Sequence, residues 1–146
     1  MPRIFVQQIE IGADAIDIHR HINNQEYLRW MQEIAIAHSA AQGWSMQRYI
    51  DCGISWYVKS HFIEYLRPGF LGDHLTICTW VATLFLREAD HHILARAETQ
   101  WIFVSLNNGR PLPIPEEVHV SFEIVGTEEA VLREIGWTAP TGKNPA

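Results

Sequence analysis

Between Asp17 and Trp30 the chain reads D-I-H-R-H-I-N-N-Q-E-Y-L-R-W, which sets one carboxylate and two imidazoles, Asp17, His19 and His21, just ahead of an amphipathic segment. These are side chains that can exchange protons with a substrate or a water. The first turn of a helix leaves backbone N–H groups without intrahelical acceptors and carries partial positive charge, so an oxygen gaining negative charge is stabilised there. An acid held beside such a terminus can attack a carbonyl carbon or activate water while the amides receive the oxyanion. Acyl transfer to water is the chemistry this pairing suits.

The elements that must position these groups follow from periodicity. Arg3 to Ile11 suits a first strand, and the polar run from Gly12 to Ile22 cannot pack as a regular element. Asn23 then predicts a helix cap, with Glu26 three residues on as in a capping box. Tyr27, Trp30, Met31, Ile34, His38 and Ala41 follow at helical spacing on one face, and Gly43 ends the run. Ser45 to Asp51 predicts a short second helix. Beyond it come the β-branched and aromatic run from Ile54 to Leu66, a strand from His74 to about Leu84, and another from Ile93 to Ser105. Arg67-Pro68-Gly69, Gly72-Asp73 and Asn107-Asn108-Gly109 supply the turns, and Pro111, Pro113 and Pro115 stiffen the path to a short helix opening at Glu116-Glu117. One long helix followed by antiparallel strands describes a single α+β domain over residues 1–136, with 137–146 as a flexible C-terminal tail.

Composition narrows the field further. At 146 residues and 47% hydrophobic, the chain has the length of one domain and enough apolar side chains for a core. A net charge of −6, with 11 Lys and Arg and no basic cluster, excludes a nucleic-acid partner. An anionic small ligand needs only a few local cations, such as Lys59, Arg67, Arg87 or Arg96. No apolar run approaches the ~18 residues of a membrane span, and Met-Pro-Arg-Ile-Phe has no signal-peptide core, so a soluble cytoplasmic protein without a membrane partner is expected. Cys52 and Cys78 form no C-x-x-C pattern. His19, His21, His74, His91 and His92 offer imidazoles, yet no carboxylate or cysteine spacing completes a ligand set, so neither metal nor cofactor is expected.

In order along the chain, D-x-x-x-H-I-N-N-x-x-Y-L-R-W-M, Y-L-R-P-G-F-L-G-D-H-L, and A-R-A-E-T-Q-W-I-F-V with G-R-P-L-P-I-P resemble the hot-dog acyl-CoA thioesterases of the 4-hydroxybenzoyl-CoA thioesterase type. The resemblance runs from about Phe5 to about Glu123. It implies a hot-dog fold, an antiparallel sheet of four to five strands wrapped around one long helix. The stretch from Val81 to Leu94 is about one short strand shorter than the family pattern, which points to four strands or clipped ones. It also implies hydrolysis of an acyl-CoA or acyl-carrier-protein thioester to a carboxylic acid and free thiol. Asp17 matches the nucleophile or general base, and Asn24 the position whose backbone N–H polarises the thioester carbonyl. His21 and Asn23 match the H-V-N-N form of the acyl-carrier-protein branch, where the histidine is also assigned to catalysis; His19 stands where that branch carries an asparagine. The architecture implies a homodimer covering exposed strand edges, with a homotetramer as the larger alternative. Two other functions share the fold: a non-catalytic acyl-binding module and a dehydratase. Asp17 and His21 also have plainer readings, as a loop carboxylate bonding its own turn and as an imidazole bonded for structure alone.

Overall fold

A computed structural model of the chain describes residues 4–80, 82–119 and 127–140. Strand β1 (Phe5–Glu10) leads through a 3-10 turn at Ala13–Ala15 and an irregular loop into α1 (Asn24–Ala41) and α2 (Met46–Cys52). Strands β2 (Ile54–Tyr65), β3 (His74–Thr79), β4 (Ala82–Arg87) and β5 (Ile93–Ser105) follow, then α3 (Glu116–His119) and α4 (Glu128–Glu134). The strands form one antiparallel sheet in the order β1-β3-β4-β5-β2.

Helix α1 begins where the Asn23 side chain accepts the Gln25 N–H at 3.0 Å. The expected capping box does not form. Glu26 pairs instead with Arg29 at 2.6 Å, and the Asn23 N–H that a box would satisfy donates to the Ala15 carbonyl at 2.8 Å. Tyr27, Trp30, Met31, Ile34 and His38 are buried as the periodicity predicts, while Ala41 is exposed in the last turn. The helix's apolar face rests on Leu75, Ile77, Phe85, Leu94, Ala95 and Ala97, where the two alanines let it approach the sheet closely.

The run from His74 to Leu84, expected as one strand, divides after Thr79 and reverses, with Ala82 opening β4 and Thr83 pairing with Thr79. The sheet therefore has five strands, and the short stretch is accommodated by clipping β3 and β4 to six residues each. No Gly, Pro, Asn or Asp marks this reversal, which is why turn chemistry does not reveal it. Alternation then sends Cys78, Leu84 and Leu86 to the face away from α1, where Val131 of α4 covers them. Burial pushes the Cys78 thiol up to about 12, so it stays protonated and inert.

Helix α4, not foreseen from the sequence, starts at Thr127, whose hydroxyl accepts the Ala130 N–H at 3.1 Å. The segment expected to be a flexible tail opens with a packed residue. Trp137 stacks on His91 at 4.6 Å between ring centroids and donates its indole N–H to the His91 carbonyl at 3.2 Å. Residues 141–146 of that tail lie outside the described residues.

Candidate active site

The loop between β1 and α1 closes on itself. The Asp17 N–H donates to the His21 carbonyl at 2.9 Å, the Arg20 N–H to the Asp17 carbonyl at 3.0 Å, and Ile16 bridges Ile22. Arg20 takes a left-handed φ of +67° to make the turn. Inside it the Asp17 carboxylate accepts two backbone N–H groups on one oxygen, Oδ1: His19 at 2.9 Å and His21 at 3.3 Å. Asp17 is therefore half-buried and bonded to its own turn, the plainer of its two readings.

Two further bonds fasten this loop to its surroundings. The Ile22 N–H donates to the Gly69 carbonyl at 2.9 Å, and the Asn23 N–H to Ala15. A cavity of about 230 Å³ lies where the N-terminus of α1, the end of β2 and the loop after it converge, and His21, Asn24, Tyr27, Tyr65, Arg67 and Gly69 contribute to its wall. The structure thus brings His21 and Asn24 to one cavity. Asp17 is not part of that wall and reaches it only through its bond to the His21 N–H. His19 is exposed and takes part through its backbone alone.

Within the first turn of α1 the amides divide sharply. The Gln25 N–H is held by the Asn23 side chain and the Glu26 N–H by the Asn23 carbonyl. The Asn24 N–H has no acceptor among the described residues, which leaves it the open donor of the terminus. On the other side of the residue, the Tyr65 hydroxyl donates to the Asn24 carbonyl at 3.3 Å.

The opposite wall is braced by Arg87. Its guanidinium bonds Asp90 at 2.9 Å, and Asp73 and the Pro68 carbonyl at 3.2 Å each, while Asp73 also accepts the Phe70 N–H at 2.9 Å. A planar fork with several donors can satisfy all of these at once. Hydrogen bonding to Asp90 holds the guanidinium above its ordinary range despite burial. Arg96 is likewise committed, bonding Glu64 and Glu128 at 3.0 Å each. Of the cations considered for an anionic ligand, Arg87 and Arg96 are thus taken up structurally, and Arg67 is the one on the cavity wall.

Sequence reasoning treated Tyr27 as core, and Tyr65 and Gly69 as strand and turn residues. The available signal was spacing: Tyr27 stands three residues after Asn24 on the same helix side, and Tyr65 ends the strand that the Arg67-Pro68-Gly69 turn follows.

Known proteins resemble this chain in sequence and in fold. It is 25% identical over 126 residues to the long-chain acyl-CoA thioesterase FadM of Escherichia coli, spanning 80% of this chain and 95% of FadM. Its fold matches a 4-hydroxybenzoyl-CoA thioesterase with a TM-score of 0.77 at 18% identity, covering 84% of this chain and 100% of that one. It also matches a DHNA-CoA thioesterase of Staphylococcus aureus with a TM-score of 0.74 at 15% identity, covering 93% and 97%. These likenesses confirm the hot-dog arrangement of one long helix on a curved antiparallel sheet. The model of the thioesterase-like superfamily matches residues 11–122, most of the chain and all of the cavity wall, and the protein belongs to that superfamily.

Proposed function

We propose that this protein hydrolyses acyl-CoA thioesters to a carboxylic acid and free CoA. The observation that carries the reading is the Asn24 N–H, a helix-terminal donor without an acceptor among the described residues, on the wall of a cavity shared with His21. Such a donor stabilises the oxygen of a thioester carbonyl as it becomes an oxyanion. Superfamily membership and the 25% identity to an acyl-CoA thioesterase support the substrate class.

In this reading Asp17, which lies beside the cavity wall behind His21 rather than on it, supplies the attacking group. Both of its hydrogen bonds fall on Oδ1, so Oδ2 is the oxygen that attacks the carbonyl carbon, or takes a proton from the water that does. Attack forms a tetrahedral intermediate, and its collapse breaks the C–S bond and expels CoA thiolate. By the nucleophilic route water then cleaves the mixed anhydride and restores the carboxylate. His21 holds Asp17 through its backbone N–H, contributes to the cavity wall, and sets its ring edge-on to Phe70. Arg67 provides positive charge for an anionic part of the substrate.

The active unit in this reading is a homodimer. Strand β2 is a sheet edge of 12 residues, with Tyr57 and Phe62 64% and 62% exposed, and an uncovered edge of that length favours pairing with a second copy. A cytoplasmic setting fits two free cysteines.

Incubating the protein with aryl-, short- and long-chain acyl-CoAs and a thiol-specific dye tests the activity. Thiol release with turnover is expected for at least one class. Saturable binding without release would favour an acyl-binding module, and gain or loss of a double bond would favour a dehydratase.

A further inference from the structure

We propose that the Tyr27 hydroxyl is a second hydrogen-bond donor to the substrate carbonyl oxygen, completing with the Asn24 N–H a two-donor oxyanion site. The inference rests on the functional reading above and adds a catalytic side chain that the helix terminus alone does not supply.

Tyr27 is 2% exposed and contributes to the wall of the 230 Å³ cavity beside Asn24. Its ring is fixed edge-on by three neighbours, with centroids 5.0 Å from Phe85, 5.3 Å from Tyr65 and 5.6 Å from Trp30. A buried tyrosine held this firmly normally has a partner for its hydroxyl, because leaving a polar group unsatisfied costs free energy. Tyr65 meets that rule through Asn24, whereas the Tyr27 hydroxyl, on the cavity wall, is not among the sealed polar atoms and is bonded by no described side chain or backbone group. As a purely structural ring, phenylalanine would pack against the same three neighbours at position 27. An aromatic ring that carries an unused donor into a cavity points to a ligand acceptor there.

The chemistry of the group suits that acceptor. Burial, reinforced by Tyr65 and Asp73 and only partly offset by the charge of Arg87, raises the phenol well above its ordinary value of 10.0, so it stays protonated and donates. Asn24 and Tyr27 stand three residues apart, one turn along the same side of α1, and both line the one cavity, so we place the substrate oxygen between them. Preorganised donors of this kind act on charge that develops in the transition state, which predicts an effect on kcat more than on KM.

The test compares wild type with Tyr27→Phe. Thioester turnover should fall on the order of 100-fold in kcat with KM changed by less than about threefold, as for loss of one oxyanion donor. The melting temperature should stay within about 2 °C, because no protein hydrogen bond is removed. Two acyl-CoA analogues read the contact without turnover: a ketone with methylene in place of the thioester sulfur, and an S-alkyl thioether lacking the carbonyl. The ketone should bind Tyr27→Phe roughly two- to threefold more weakly than wild type, the low end of one hydrogen bond's worth and in line with the small KM change, and the thioether should bind both equally. The bound ketone's ¹³C carbonyl resonance should move upfield in the variant. Unchanged kcat and unchanged ketone affinity overturn the inference while leaving the thioesterase reading intact. A Tyr27-dependent ketone affinity in a protein without turnover supports the contact and rejects the activity instead. Failure of wild type to bind the ketone at all overturns the contact.

Discussion

The Gly69 carbonyl accepts the Ile22 N–H at 2.9 Å, and the two residues meet so closely that a Cβ at position 69 would run into the Ile22 side chain. Ile22 is buried and stands two residues before Asn24, so this contact sets where the chain enters α1 and where its open amide lies. Arg87 holds the same loop from the other side through Pro68 and Asp73. The site's geometry thus depends on a turn remote in sequence from the helix it positions.

Gly69→Ala should destabilise the fold by about 1–3 kcal/mol, the usual cost of overpacking a filled site. Ile22 is buried, and the added methyl would also meet Leu94 Cδ1 at 3.2 Å. Turnover should fall with it, since the first turn of α1 must shift. Thermal denaturation and thiol-release assays check both; unaltered stability would mean that the Ile22 side chain repacks freely.

Asn24→Ala should leave turnover within a few-fold of wild type, because the role rests on the backbone. Asn24→Pro removes the N–H at the first helical position, where proline is well tolerated, and should lower kcat by ~10²–10³-fold with the helix intact. Circular dichroism with steady-state kinetics separates the two effects. Equal activity of the Ala and Pro variants would reject the oxyanion role of this amide.

Asp17→Asn should keep the fold, since the amide oxygen can still accept the His19 and His21 N–H groups, and should remove most turnover, by ~10²–10³-fold. Asp17→Ala should lose the turn as well as the chemistry and melt lower. Wild-type rates in the Asn variant would move the chemistry away from position 17.

The Asp90 carboxyl lies below its ordinary value of 3.8. Burial pushes it up, but hydrogen bonds from Arg87 and the His92 N–H and the charge of Arg87 outweigh that. The folded protein therefore binds fewer protons at this site than the unfolded chain around and below that value. The stabilisation is fully present above pH 3.8 and is lost as pH falls through the depressed folded value. Asp90→Asn should accordingly be less stable than wild type at neutral pH, with the difference shrinking in that acid window. Denaturant midpoints measured across the window test this, and a pH-independent difference would count against the assignment.

Much of the protein was readable from local chemistry. Helix α1 and its cap are properties of neighbouring residues, as are α2, the long strands β2 and β5, and the irregular run from Gly12 to Ile22. Periodicity and turn residues determine them, and together with the motif order they sufficed for the fold and the superfamily. The position of Asn24 at a helix start belongs to the same class. What only the tertiary structure decided involves residues far apart in the chain. The β3–β4 reversal lacks a turn residue and is imposed by pairing with β1 and β5. Helix α4 gains its stability from Cys78, Leu84 and Leu86 beneath it, residues far from it in the chain. Arg87 and Arg96, free cations in the sequence, are neutralised by Asp73, Asp90, Glu64 and Glu128 across the sheet and its loops. The cavity itself joins His21 and Asn24 to Tyr65, Arg67 and Gly69. Sequence spacing reports which side chains share one face of one element. Which faces then meet is decided by long-range packing, and that packing brought Tyr27, legible in the sequence only as core, to the wall of the cavity.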